Sequence, residues 1–199
     1  MPCDHARRDG EHWREEDLSG LRAEAVELVE CVLERVELAG ADLPRLALTD
    51  VRLADCSLAN VRSLRADLVR VDLKGCRLTV LELPEASGRL VRFADCRADL
   101  VSLRFARFEH TVFIRTSLVQ ADLSQADLRE ASFVECDLTG ADLSGARLQG
   151  ATFDRCRLAD LRGIGSLRGA RMRWVDVIGL TGALAAEIGI DLLDDEDRA

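Results

Sequence analysis

Seven cysteines, three histidines and 36 acidic side chains are the groups of this 199-residue chain that could hold a metal, form a covalent intermediate or move a proton. Their spacing argues against all three. No two cysteines form a CxxC pair, the usual sign of a zinc site or a redox dithiol. Cys31, Cys56, Cys76, Cys96, Cys136 and Cys156 fall in a single slot of the repeat described below, and the last five are separated by multiples of twenty residues. They read as small, polarisable core residues. Cys3, His5 and His12 gather in a charged leading segment with no fourth ligand at suitable spacing. His110 has no nucleophile beside it, and GxSxG, GxGxxG, P-loop and HExxH motifs are absent. The carboxylates sit in polar slots, as a solvated surface requires. No catalytic residue, metal ligand or cofactor is expected, and the chain reads as non-enzymatic.

What positions these groups is a period of five. In "ADLSQADLREASFVECDLTGADLSGARLQGATFDRCRL" (residues 121–158) Leu or Phe returns every fifth residue, matching neither the helical period of 3.6 nor the strand period of 2. From Leu18 to Leu158 the central slot is Leu or Phe throughout, except at Ala23, Ser63, Gly88 and Ala98. Two residues before the centre stands almost always a small or β-branched residue or Cys, as at Ala121, Cys136 and Ala141. A chain that turns one corner per quintet can bury both slots, and four such sides close a coil of twenty residues. Phe93, Phe113, Phe133 and Phe153 keep that longer spacing, as do Cys56, Cys76, Cys96, Cys136 and Cys156, with Thr116 in the gap. Like should therefore stack on like between coils.

The repeat resembles the pentapeptide-repeat family, whose pattern is roughly A(D/N)LXX, over about Asp17 to Leu161. The resemblance implies an all-β solenoid, a right-handed quadrilateral β-helix. Roughly seven coils at strand spacing would make a shaft ~35 Å long. The expected organisation is a flexible N-terminal tail over residues 1–16, the β-helix over 17–163, a helical cap over 164–193 and an acidic tail over 194–199. The weakest stretch, "LPEASGRL" (Leu83–Leu90), carries Pro84 and places Gly88 in a core slot, and reads as a distorted side or bulge. In the C-terminal segment Trp174, Val177, Ile178, Leu184 and Ile188 have approximately helical spacing. They predict one or two short helices over residues 174–188, closing the last coil. The resemblance implies a homodimer through this cap.

Net charge is −9, and there is neither an apolar leader nor an apolar run long enough to span a membrane. A cytoplasmic location is expected, with neither membrane nor direct nucleic-acid contact. Some relatives bind DNA gyrase or topoisomerase IV by imitating DNA and protect it from quinolones, so the resemblance implies such a partner. As a uniform polyanion the shaft falls short. Duplex DNA of that length carries roughly 20 negative charges, whereas acids only slightly exceed bases along the repeat. Patchy mimicry has two acidic belts to work with: Glu24, Glu27, Glu30, Glu34, Glu37 and Asp42, then Asp122, Asp127, Glu130, Glu135, Asp137 and Asp142. Charge reversal at Asp122, Asp127 and Asp142 is expected to weaken such a partner and leave the fold intact. The alternative reading is a scaffolding solenoid with another protein partner.

Overall fold

The computed structural model describes residues 6–192. The chain winds into a four-sided parallel β-solenoid of about 8 turns, in which residue i lies beside residue i+20 until the last coil, where Thr152 and Phe153 lie beside Arg171 and Met172, a step of nineteen. Two walls are regular sheets. One has six strands, from Arg7–Asp9 through Glu27–Val29 to Arg107–Glu109, and the other has nine, from His12–Arg14 to Arg171–Met172. The other two walls are joined by single bridges, such as Glu37↔Ser57 and Asp42↔Arg62.

The corners explain the period. One residue per quintet is held in the left-handed region, for example Glu30 at φ 53°, Arg35 at 52°, Gly40 at 69° and Arg45 at 57°. That conformation costs a non-glycine residue about 1–2 kcal/mol. Backbone bonding to the next coil offsets it: the Arg35 amide donates to the Ala54 carbonyl at 2.9 Å, and Arg45 to Leu64 at 2.9 Å. Each corner is thus pinned to the coil beyond it, and turn and ladder form together.

Both inward slots are buried as the spacing requires. The rings of Phe93, Phe113, Phe133 and Phe153 stack at 4.8, 4.8 and 4.7 Å, within 4° of parallel. Met172 pairs in register with Phe153 and closes that column. The cysteine column is a hydrogen-bond ladder. Cys96 Sγ donates to the carbonyls of Ala94 at 3.3 Å and Leu73 at 3.5 Å, and Thr116 Oγ1 makes the equivalent bonds to Ile114 at 3.1 Å and Phe93 at 3.3 Å. Threonine can replace cysteine there because both supply one short donor.

Three expectations are corrected. The segment read as a flexible tail already forms strands: Arg7–Asp9 pairs with Glu27–Val29, and His12–Arg14 with Val32–Glu34. Charged Arg8, Glu11 and Glu16 occupy inward slots of this first coil and disguise the register, although Trp13 keeps the central slot. Of the leading residues, 1–5 lie outside those described, Cys3 and His5 among them, as does the acidic tail over 194–199. The second correction is at Leu83–Leu90, where the ladder continues without a bulge and Ser87–Arg89 pairs on both sides. A Cβ on Gly88 would lie 2.2 Å from the Phe108 ring. The missing side chain is the room that Phe108 fills one coil later. Third, the span read as a helical cap from residue 164 does open with a 3-10 turn at Ile164–Leu167, but a last strand interrupts it, because Arg171–Met172 still pairs with Thr152–Phe153.

Beyond that strand, α1 (Trp174–Ile178) and α2 (Thr181–Glu187) fall within the predicted span. Leu180 is buried under them, and Leu184 packs against the core.

Candidate functional site

The outward side chains form rows along the shaft, and their geometry decides what the acidic belts can do. The structure does not gather either belt onto one side. Glu27 and Asp127 lie on the six-stranded wall, Glu34 on the nine-stranded wall, and Glu37 and Asp137 on the third wall. Asp42, Asp122 and Asp142 lie on the fourth, where Asp122 and Asp142 are neighbours in adjacent coils. Glu24 flanks that wall, while Glu30, Glu130 and Glu135 take corners.

Most of these carboxylates are already engaged by arginines, commonly one coil away. Glu27 meets Arg7 at 3.2 Å, Glu34 meets Arg14 at 2.6 Å, Glu135 meets Arg155 at 3.0 Å, and Asp137 and Asp142 meet Arg157 and Arg162 at 3.5 Å. Glu24 pairs with Arg45, and Asp122 lies 3.5 Å from Arg104. Asp127 is held from two sides, by Arg129 at 2.8 Å and Arg147 at 3.4 Å. Glu30, Glu37, Asp42 and Glu130 have no basic partner within 4.0 Å among the described residues. Exposed pairs of this kind contribute about 0–1 kcal/mol each. Their larger consequence is a wall close to electrical balance.

The aspartates of the repeat have a further task. Asp122 Oδ1 accepts from the Ser124 amide at 3.1 Å and hydroxyl at 2.6 Å, Asp137 Oδ1 from Thr139 at 3.0 and 2.6 Å, and Asp142 Oδ1 from the Ser144 amide at 2.9 Å. This side-chain turn explains why Asp stands before the central Leu and Ser or Thr after it. The Arg129 guanidinium and amide hold Asp127 below the usual carboxylate range, and the Ser144 hydroxyl and amide do so for Asp142. Reversing Asp122, Asp127 and Asp142 would therefore also remove two side-chain turns and a part-buried ion pair, a local cost separate from any effect on a partner.

Inside the tube, hydrogen bonding in which Cys76 is the donor toward the Cys56 and Cys96 sulfurs, then burial, pushes the Cys76 thiol up, and donation toward Cys136 does the same to Cys156. These two are thiols at neutral pH, the form that packs rather than reacts. Among the described residues no cluster of His, Cys, Asp and Glu could hold a metal, and no helix is long and apolar enough to cross a membrane.

The two ends differ from the wall. In the cap, Val177 is half-buried and Leu184 rests on the coil, whereas Trp174, Ile178 and Ile188 are 77%, 57% and 73% exposed, with Val175 at 57%. Helical spacing identified the segment but not which residues turn outward. At the other end, Trp13, Leu18, Leu21 and Ala23 line a mouth of about 380 Å³. Sequence reasoning missed it, although running the five-residue frame back to residue 13 puts Trp in a central slot.

A four-sided parallel β-solenoid with two buried slots per quintet and a charged outer wall defines the class of protein. The chain belongs to the pentapeptide-repeat family, whose profile, "Pentapeptide repeats", matches in 8 copies over residues 47–79, 92–133 and 121–160. No curated protein matches the sequence. Among solved structures, full-length QnrB1, a plasmid-mediated fluoroquinolone resistance protein, is similar at 17% identity over 93% of this chain and 100% of that one, with TM-score 0.46. HetL, involved in heterocyst differentiation regulation in the cyanobacterium Nostoc sp. strain PCC 7120, is similar at 19% over 85% and 90%, with TM-score 0.30. Rfr23 from the cyanobacterium Cyanothece 51142 is similar at 16% over 87% and 88%, with TM-score 0.18.

Proposed function

We propose that this chain is a non-enzymatic binding solenoid that docks a protein along its outer wall, with DNA gyrase or topoisomerase IV as the named candidate partner. Family membership supports this reading. The observation that carries it is the wall itself, a rigid face on which charged side chains recur at the strand spacing of ~4.8 Å. Carboxylates without basic partners, Glu37 and Asp42 near one end and Glu130 near the other, are the groups such a partner would meet first. The exposed Trp174, Val175 and Ile178 support a homodimer through the cap, which would double the length of wall on offer. The site of action would be cytoplasmic.

The test is gyrase supercoiling with purified protein, alone and with a quinolone. The expected result is a concentration-dependent change in supercoiling together with protection from the drug, weakened by Glu37→Lys and Glu130→Lys at unchanged melting temperature. No effect over a broad concentration range would remove the topoisomerase. One observation favours the second reading, a scaffold for another protein: arginines already neutralise half of the first acidic belt and five of the six carboxylates of the second, which a DNA mimic would leave free.

A further inference from the structure

The mouth of the first coil opens into the tube. Beneath it a narrow void of about 70 Å³ runs from Trp13 past Leu33 and Leu53 to Val61 and is lined wholly by apolar atoms. Its cause is visible in the column that begins at Trp13. Phenylalanine fills that column from Phe93 onward, but Leu33 and Leu53 sit beneath the indole. Two leucines cannot occupy the space of two aromatic rings, and an apolar void of this kind stays dry and accepts apolar guests. Three coils at strand spacing make it ~10 Å deep, long and thin rather than round.

The rim is not apolar. Arg8, Glu11 and Glu16 line it in slots that are hydrophobic in later coils. Glu11 accepts a 2.6 Å hydrogen bond from Trp13 Nε1 and lies 3.6 Å from Arg8. Glu16 has no basic partner within 4.0 Å among the described residues. Among the described residues the rim thus carries one negative charge in excess, beside an indole whose face attracts cations.

We propose that this mouth is a binding site for an amphiphile with a linear aliphatic chain and a cationic head, the chain entering the leucine-lined void and the head resting against Glu16 and Trp13. The site is independent of the outer wall. Trp13 reports on it directly once the exposed Trp174 is replaced, so the test uses the full chain carrying Trp174→Phe. Hexyl-, octyl- and decyltrimethylammonium, each below its micelle-forming concentration, should change Trp13 fluorescence saturably. Affinity should rise about fourfold per added methylene until the void is full. Octyl sulfate should bind more weakly. Glu16→Gln should weaken the ammonium probes about two- to fivefold without moving the melting temperature.

Leu53→Phe extends the existing phenylalanine column, and should abolish binding while holding or raising the melting temperature. Leu33→Phe is the second variant, should the first disturb folding. Absence of saturation, equal binding of octyl sulfate, or binding undiminished in a folded Leu53→Phe or Leu33→Phe variant would each overturn the proposal. So would binding that appears only when residues 1–5 are removed, since the leader would then own the mouth.

Discussion

Between Leu28 and Val61 the void in the tube is lined by leucine and valine, while between Phe93 and Phe153 one column of the four holds stacked rings, leucines keep most of the other central slots, and the end is closed by Met172 and the helices. The corners and the step of twenty are alike in both stretches, although the six-stranded wall ends at Arg107–Glu109 and continues beyond it only as single bridges through Asp127. The difference shows that the five-residue pattern specifies the coil without specifying how full it is. Any aliphatic central residue closes the square, and only aromatics fill it here. In a solenoid each coil leans only on its neighbours, so local packing quality sets local stability.

The largest expected effect tests the frame common to both halves. Leu128→Asp places an unpaired charge at a fully buried centre, and should unfold the shaft, read as lost β signal in circular dichroism. An unchanged melt would overturn the assigned facing. Next, Phe133→Ala should cost about 4 kcal/mol and Leu53→Ala about 2, because the leucine already borders empty space. Denaturant titration of both variants checks this, and equal costs would erase the distinction between the halves. Hydrogen exchange should agree, with amides around Leu33 and Leu53 exchanging before those around Phe133.

A smaller effect lies at the junction of the two regions. Gly88→Ala drives a methyl into the Phe108 ring, and should cost about 1–3 kcal/mol. Adding Phe108→Leu should return part of it, and a double-mutant cycle measures the coupling. Additive costs would break the link between missing side chain and ring. The smallest effect is acid sensitivity, which should not separate the halves. Arg14 and Arg70 depress Glu34 and Asp50 in the first half, and Arg129 depresses Asp127 in the second. The unfolded chain takes up protons more readily as pH falls below about 4. These groups therefore stabilise the fold above that pH, and lose their contribution as pH falls through their lowered values. Asp127→Asn should flatten the acid limb of the melting profile by under about 1 kcal/mol.

The coil and the Phe and Cys columns were legible because repetition averages over local exceptions. Where one residue departed from the pattern, the reading failed for a definite reason. Gly88 looks like a defect until Phe108 is placed beside it, a relation across twenty residues that a five-residue frame cannot display. Arg8, Glu11 and Glu16 looked like a solvated tail because a terminal coil turns polar groups toward water at its open end. The acidic belts were correct as composition but incomplete as a surface. Their partners Arg7, Arg14, Arg155 and Arg162 lie a whole coil away in the chain and next to them in space.

The step of twenty, kept as far as the pairing of Asp142 with Arg162, also constrains how such a molecule changes size. Losing one residue early in that run would move the leucines of later coils to outward wall slots and bring polar residues inward. Among the described residues such a shortening occurs only in the last coil, where Phe153 pairs with Met172. Gaining twenty in frame would add one storey and leave the others as they are. The rod is therefore brittle to small length changes and permissive to large ones, a ruler whose only gradation is the full turn.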